Sequence, residues 1–152
     1  MKKLFSLACI VMASVFAIAG CGSSSSATYK DGTYTAQSSV FEGMEDEDGE
    51  EGGEGYGEVT ITIKDNVITA CEFTTYMPDG TKKDDDYGKK NGEIANQDYY
   101  NKAQRAVKAS ANYAEQLAAK GSLDEVDAIT GASISYQEFQ EAVELALKQA
   151  KE

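Results

Sequence analysis

The sequence has no histidine, no tryptophan, a single proline and only three cysteines among 152 residues. Without histidine there is no Ser-His-Asp triad, no Cys-His pair and no histidine-bearing metal site, which excludes the commonest hydrolase and zinc-enzyme designs. Basic residues are scarce as well: 14 Lys and Arg stand against 26 Asp and Glu, a net charge of −12. That balance argues against nucleic acid as a partner, because its phosphates would repel the chain. The longest apolar run, Leu4 to Ala19, stops short of the roughly 20 residues a membrane-spanning helix requires. The length fits one small domain.

The first positive feature is an address. Lys2 and Lys3 precede the apolar run, and small residues end it, which is the pattern of a secretory signal. Its last four residues, Ile18-Ala19-Gly20-Cys21, resemble the bacterial lipobox, in which the Cys thiol takes a diacylglycerol and becomes the mature N-terminus. That resemblance implies a signal peptide over residues 1–20 and lipid attachment at Cys21. It also implies residence on the outer face of the cell membrane. Residues 21–28, rich in serine, then form a flexible tether. An uncleaved transmembrane anchor is the alternative reading. Cleavage would remove Lys2 and Lys3 and no acidic residue, taking the net charge from −12 to −14. It would also remove Cys9, leaving a lipidated Cys21 and a solitary Cys71, so no disulfide framework is expected. Cys71 falls in an apolar strand and reads as a small core residue, with a redox thiol as the alternative.

Beyond the tether, Tyr29 to Ala36 opens with a turn and continues in β-favouring residues. Eight of the thirteen residues from Glu42 to Glu54 are acidic and most of the others are glycine, so residues 42–57 are expected to form a solvated loop. EF-hand spacing fails there: with Gly49 at position six, Met44 and Gly55 fall where Asp and Glu are needed. Only weak, non-specific cation binding remains open for that stretch. Val59, Ile61 and Ile63 alternate with polar residues, Asp65-Asn66 is tight-turn chemistry, and a return strand starts at Val67. Its apolar phase slips from Ile68 to Cys71 and Phe73, which predicts a bulge near Thr69-Ala70.

A long loop covers Met77 to Gly92. Apolar spacing from Ala103 to Leu117 then predicts a helix stopped by Gly121. A last helix is expected from Ser135, where Ser135 and Glu138 fit a capping box ahead of an apolar stripe from Phe139 to Ala150. Strands followed by helices make an α+β fold, a small antiparallel sheet packed against two main helices. Much of its hydrophobic content is alanine, so a bound cofactor could help fill the core.

Before the last helix stands Asp127-Ala128-Ile129-Thr130-Gly131-Ala132-Ser133. Gly131 and Ala132 let another molecule approach the backbone, Thr130 and Ser133 supply hydroxyls, and a helix start aims unpaired amides at the loop. A phosphate suits such a place. An ordinary polar loop leading into a helix cap would read the same way.

The run from Asp127 to Ser133 resembles the motif of FMN-binding domains. These occur in the C and G subunits of sodium-pumping and related quinone reductases and in Gram-positive surface lipoproteins. Tyr29 to Tyr34, Gly57 to Ile61, the Asp65-Asn66 turn and Ala111-Asn112-Tyr113-Ala114 extend the likeness to nearly all of residues 29–152. The resemblance implies FMN as cofactor, with Asp127, Thr130, Gly131 and Ala132 as recognition residues and Ser133 as the hydroxyl that a flavin transferase joins to the FMN phosphate. Two departures stand out: the acceptor is Ser where Thr is more usual, and Met77 to Lys83 replaces a Glu-Thr-Pro-Gly segment found near the flavin in many members.

The flavin that the resemblance implies makes the protein an expected electron carrier rather than an enzyme with its own substrate, and no catalytic acid or second substrate pocket stands out beside it. The expected partners are a membrane quinol or quinone reductase as donor and an extracellular acceptor. A non-covalent FMN-binding or sensing module is the alternative, and a signalling role for the released leader peptide is a third. Tyr34, Tyr56, Tyr76 and Tyr113 are the expected neighbours of the ring, each with plain core packing as its alternative.

Overall fold

The computed structural model describes residues 27–45 and 51–151. The expected signal segment, Cys21, most of the expected tether and the middle of the acidic stretch lie outside the described residues. The alternation of Val59, Ile61 and Ile63 forms the central strand of a three-stranded antiparallel sheet. That strand (residues Tyr56–Lys64) pairs with Gly32–Gln37 on one side and Val67–Tyr76 on the other. In chain order the strands are β1 (Gly32–Gln37), β2 (Met44–Glu45), β3 (Glu51–Gly52), β4 (Tyr56–Lys64) and β5 (Val67–Tyr76).

Asp65 and Asn66 take φ of 51° and 65°, the left-handed geometry that a two-residue hairpin requires. The expected bulge is present: Thr62 pairs with Ala70 and Ile63 with Ile68, leaving Thr69 without a partner. One face of β4 is buried, with Val59, Ile61 and Ile63 all sealed from solvent. On the opposite face a ladder of threonine hydroxyls crosses from β1 to β4, Thr35 to Thr60 at 2.9 Å and Thr33 to Thr62 at 3.2 Å.

Both helices cover the apolar face. Helix α1 (Gln97–Lys120) starts at Asn96, whose side-chain oxygen accepts from the amides of Asp98 and Tyr99. It ends at Gly121, φ 75°, whose N–H returns to the Leu117 carbonyl, so the predicted stop is the real one. Helix α1 lies on β5, and α2 (Ser133–Ala150) lies on β4 and β1. Alanines at 109, 114, 142, 146 and 150 are buried, and bulk comes from Phe139, which meets Phe73 edge-on at 5.0 Å and stacks on Tyr113 at 5.6 Å. The segment entering β1 meets the far end of α2, where the Lys30 amide donates to the Ala150 carbonyl at 2.8 Å.

Two expectations need correction. Helix α2 begins at Ser133, with Ala132 in the cap position, so the Ser135–Glu138 capping box does not form. Gly131 at φ 79° bends the chain into the helix two residues early, which buries Ser135 in the first turn and leaves the Glu138 carboxylate buried without a hydrogen-bond partner among the described residues. The acidic stretch is also more ordered at its margins than a solvated loop. There β2 and β3 pair as a short hairpin, and Gly55 is buried and exchanges backbone bonds with Phe41.

The segment between the helices is held by two phenols. The fully buried Tyr113 accepts from the Ile129 amide at 3.0 Å and donates to the Ala132 carbonyl at 3.3 Å. Tyr136 donates to the Val126 carbonyl at 2.9 Å, and Gln116 exchanges bonds with the backbone of Asp127. Tyr113→Phe strips the Ile129 amide of its partner and removes one of the two bonds to the Ala132 carbonyl, which keeps the Tyr136 amide, while leaving the ring in place. It should lower unfolding stability in urea by about 1–3 kcal/mol, with faster hydrogen exchange at the Ile129 amide than at amides in mid-sheet.

Candidate functional site

The phenols fix where the Asp127–Ser133 segment turns. Gly131 sits at the corner with a left-handed φ of 79°, and a side chain there would be strained and would come within 3.0 Å of the Arg105 guanidinium. Ala132 is buried, while Ser133 is exposed as the first residue of α2. Because Ala132 offers no side-chain cap, the first-turn amides and the positive end of the helix dipole are left for another acceptor. Arg105, on α1, places a cation beside the same corner.

This corner borders a cavity of about 450 Å³, within the ordinary range for a small-molecule site. Its walls come from four places in the chain. Gly131 to Ser135 form the start of α2, and Lys102, Ala103, Ala106 and Val107 form one face of α1. Thr75, the penultimate residue of β5, is joined by Lys83 and Tyr87 from the long loop. The β3 arm closes the remaining side. A methyl group on Gly52 would come within 3.0 Å of the Tyr99 ring, and one on Gly53 within 2.5 Å of Ile134. Only glycine lets the arm lie so close.

The walls combine aromatic surface with positive charge. Tyr87 and Tyr99 offer ring faces, and the Tyr87 oxygen accepts from the Gly53 amide at 3.3 Å. Burial pushes the Tyr87 phenol well above its usual range, so it stays neutral. Lys83 lies 5.1 Å from the Tyr87 ring centroid and reaches the Gly53 carbonyl at 3.4 Å. Burial lowers the affinity of its amine for a proton, while Glu138 and Glu54 oppose that shift. Lys83, Lys102 and Arg105 thus gather round one cavity in a chain of net charge −12. A flat aromatic ligand that carries a phosphate fits this combination.

The expected site residues are divided by the fold. Gly131, Ala132 and Ser133 line the cavity; Asp127 and Thr130 do not. The Asp127 side chain is 85 % exposed and pairs with Lys120 at 2.8 Å, and Thr130 is exposed in the turn. The tyrosines expected beside a ring are placed elsewhere. Tyr34 donates to the Lys30 carbonyl, Tyr56 and Tyr76 stack on each other at 5.3 Å, and Tyr113 is sealed in the core. Tyr87 and Tyr99 are the tyrosines that line the cavity. Sequence signals for both exist: Tyr87 is a lone aromatic within a charged run, and Tyr99 shares helical spacing with Ala103, Ala106 and Val107. Cys71 is half-buried against the core, and burial pushes its thiol up to about 12, which suits packing rather than redox chemistry.

Among the described residues no group of acidic or cysteine side chains could hold a metal ion, and no helix is long and apolar enough to cross a membrane. A second hollow of about 680 Å³, between the far ends of the helices, includes no residue of the Asp127–Ser133 segment.

The same fold is found in a crystal structure of a protein from Clostridium perfringens. The TM-score is 0.55 and the identity 23 %, over 81 % of this chain and 89 % of that one. A solution NMR structure of a Clostridium thermocellum protein is also 23 % identical, over 81 % of this chain and 93 % of its own, with a TM-score of 0.39. None of the curated proteins matches the chain. A family model described as the FMN-binding domain matches residues 52–148, which takes in the β3 arm, the cavity walls and most of α2. The aromatic walls, the gathered cations and the open helix start are what an FMN needs for its ring and its phosphate. The chain therefore belongs to the FMN-binding domain family, with FMN as its cofactor.

Proposed function

We propose that this protein is a lipid-anchored flavoprotein on the outer face of the cell membrane. In this reading it carries FMN on Ser133 through a phosphoester and passes electrons from a membrane quinol or quinone reductase to an extracellular acceptor. One observation carries the attachment site: Ser133 is the exposed first residue of α2, lining the cavity beside the Gly131 corner and Arg105. A hydroxyl there meets an incoming phosphate at the point where amides and a guanidinium neutralise it. The asymmetry of charge supports an extracytoplasmic carrier, because an acidic surface keeps the domain soluble near anionic lipid. Anchoring rests on the lipobox-like residues ending in Cys21.

For attachment, the Ser133 oxygen displaces a nucleotide leaving group from the flavin-side phosphorus of an activated flavin nucleotide. The hydroxyl proton leaves, one P–O bond forms and one breaks. A flavin transferase would supply this step, since the site itself has no histidine to act as a base. The bound FMN then supplies redox chemistry, and the protein contributes position and potential. Gly131 keeps the corner clear, Arg105 and the α2 amides hold the phosphate, and Tyr87 and Tyr99 exclude water from the ring.

Co-expression with the matching flavin transferase should give wild-type protein whose intact mass includes FMN and whose yellow colour stays with the polypeptide after acid and heat. Ser133→Ala should fold normally and give no covalent adduct; an adduct on that variant would move the acceptor elsewhere. Colour that leaves with the supernatant would favour the non-covalent module. Arg105→Gln should weaken binding of free FMN by roughly tenfold, about 1.4 kcal/mol, and leave riboflavin, which has no phosphate, unaffected. Fluorescence quenching titrations measure both.

A further inference from the structure

Glu138 is 3 % exposed, and among the described residues neither of its carboxylate oxygens has a hydrogen-bond partner. Buried carboxyl groups are hydrogen-bonded in most folded proteins. The residue is not a failed cap alone, because of what lies beside it. The charged group that acts on it is Lys83, itself only 7 % exposed and set in the cavity wall, with Glu54 acting on Lys83 in turn. The other elements packed here bring neutral groups. The Glu138 Cβ lies close to Gly57 of β4, next to the Phe73 ring of β5. Ser38, after β1, is occupied in accepting from the Gly57 amide.

We infer that Glu138 is a proton-binding residue beneath the FMN cavity which, acting through Lys83, sets how strongly the cavity prefers the anionic reduced form of its cofactor. The inference rests on FMN occupying this cavity. Glu138 acts as a positioning residue, since it lines no part of the cavity surface.

The reasoning is electrostatic. When Glu138 carries a proton, the Lys83 ammonium is a net positive charge in a wall of low dielectric, and a negative ligand is favoured. When Glu138 is ionised, it cancels much of that charge. Two electrons from a reductant such as dithionite and one proton from water convert the neutral oxidised ring to its anionic reduced form. That anion in turn favours the protonated carboxyl, so reduction draws a further proton onto Glu138. Burial pushes the Glu138 pKa up to about 7 against the opposing pull of Lys83, which puts this exchange at neutral pH. The sign follows: the protonated form is populated below that value, so the potential of the bound flavin rises as pH falls through it.

The test uses full-length protein loaded with FMN, its midpoint potential followed by flavin absorbance from about pH 5.5 to 8.5. Wild type, Glu138→Gln and Lys83→Met are compared. Proton uptake by the ring itself is common to all three. The wild-type potential should fall more steeply through neutrality than that of Glu138→Gln, which follows ring protonation alone and lies above wild type at alkaline pH. Lys83→Met should have a lower potential, with its Glu138 step displaced to higher pH because the opposing pull of Lys83 is gone. Parallel curves for wild type and Glu138→Gln would overturn the inference. In flavin-free protein, carboxyl-carbon NMR should show Glu138 titrating about 2–3 pH units above an ordinary Glu, and titration in the ordinary range overturns it too. If Glu138→Gln fails to fold, this measurement and Lys83→Met decide the matter. Protein that takes up no flavin overturns the cofactor site and this inference together, whereas bound flavin with parallel curves overturns this inference alone.

Discussion

A phenol sealed inside the core decides the shape of the site. The Tyr113 hydroxyl bonds to the chain on both sides of the Thr130–Gly131 turn, accepting from Ile129 and donating to Ala132. Its ring is clamped between Phe139 and Tyr136, so the position of the turn is inherited from the packing of the two helices. An exposed loop would otherwise wander; here its backbone is referenced to the most rigid part of the domain. Everything at the corner follows from that: the left-handed Gly131, the early start of α2, and the presentation of Ser133. Binding a phosphate on a backbone already held in place avoids the entropy of ordering a loop at the moment of binding.

Charge is distributed against the overall composition. The surface is acidic, while the cavity collects Lys83, Lys102 and Arg105. Such a contrast gives an anionic ligand one attractive destination on a molecule that otherwise repels it. Lys83 is held there at some cost, because it is buried among Tyr87, Gly53 and the end of β5. A lysine in that position is more expensive than one on the surface, and the nearby Glu138 offsets part of the expense.

Much of this was readable from the chain. The period of two in Val59, Ile61 and Ile63, the Asp65-Asn66 turn, the slip that became the Thr69 bulge and the Gly121 stop are local effects, settled by residues a few positions apart. The turn at Thr130-Gly131 ahead of a helix was legible for the same reason, and Gly131, Ala132 and Ser133 line the cavity. What failed was decided at a distance. The start of α2 moved because a tyrosine on another helix anchors the turn, so a sound local capping pattern at Ser135 and Glu138 lost to tertiary packing. The exposed pairing of Asp127 with Lys120, away from the cavity, is likewise a contact that the local pattern does not encode. The aromatic walls were missed because Tyr87 is recruited from a loop whose course depends on Gly53 and Lys83, long-range contacts that no periodicity encodes.

The meeting of Lys30 with Ala150 has a geometric corollary. Helix α2 spans 18 residues, about 27 Å, with its first turn at the cavity and its last beside the point where the chain emerges from the serine-rich segment. On the proposed anchoring, the leash therefore joins the domain at the pole opposite the flavin. An upright domain would hold its cofactor outward, towards soluble acceptors, whereas contact with a donor buried in the bilayer would require it to tip over.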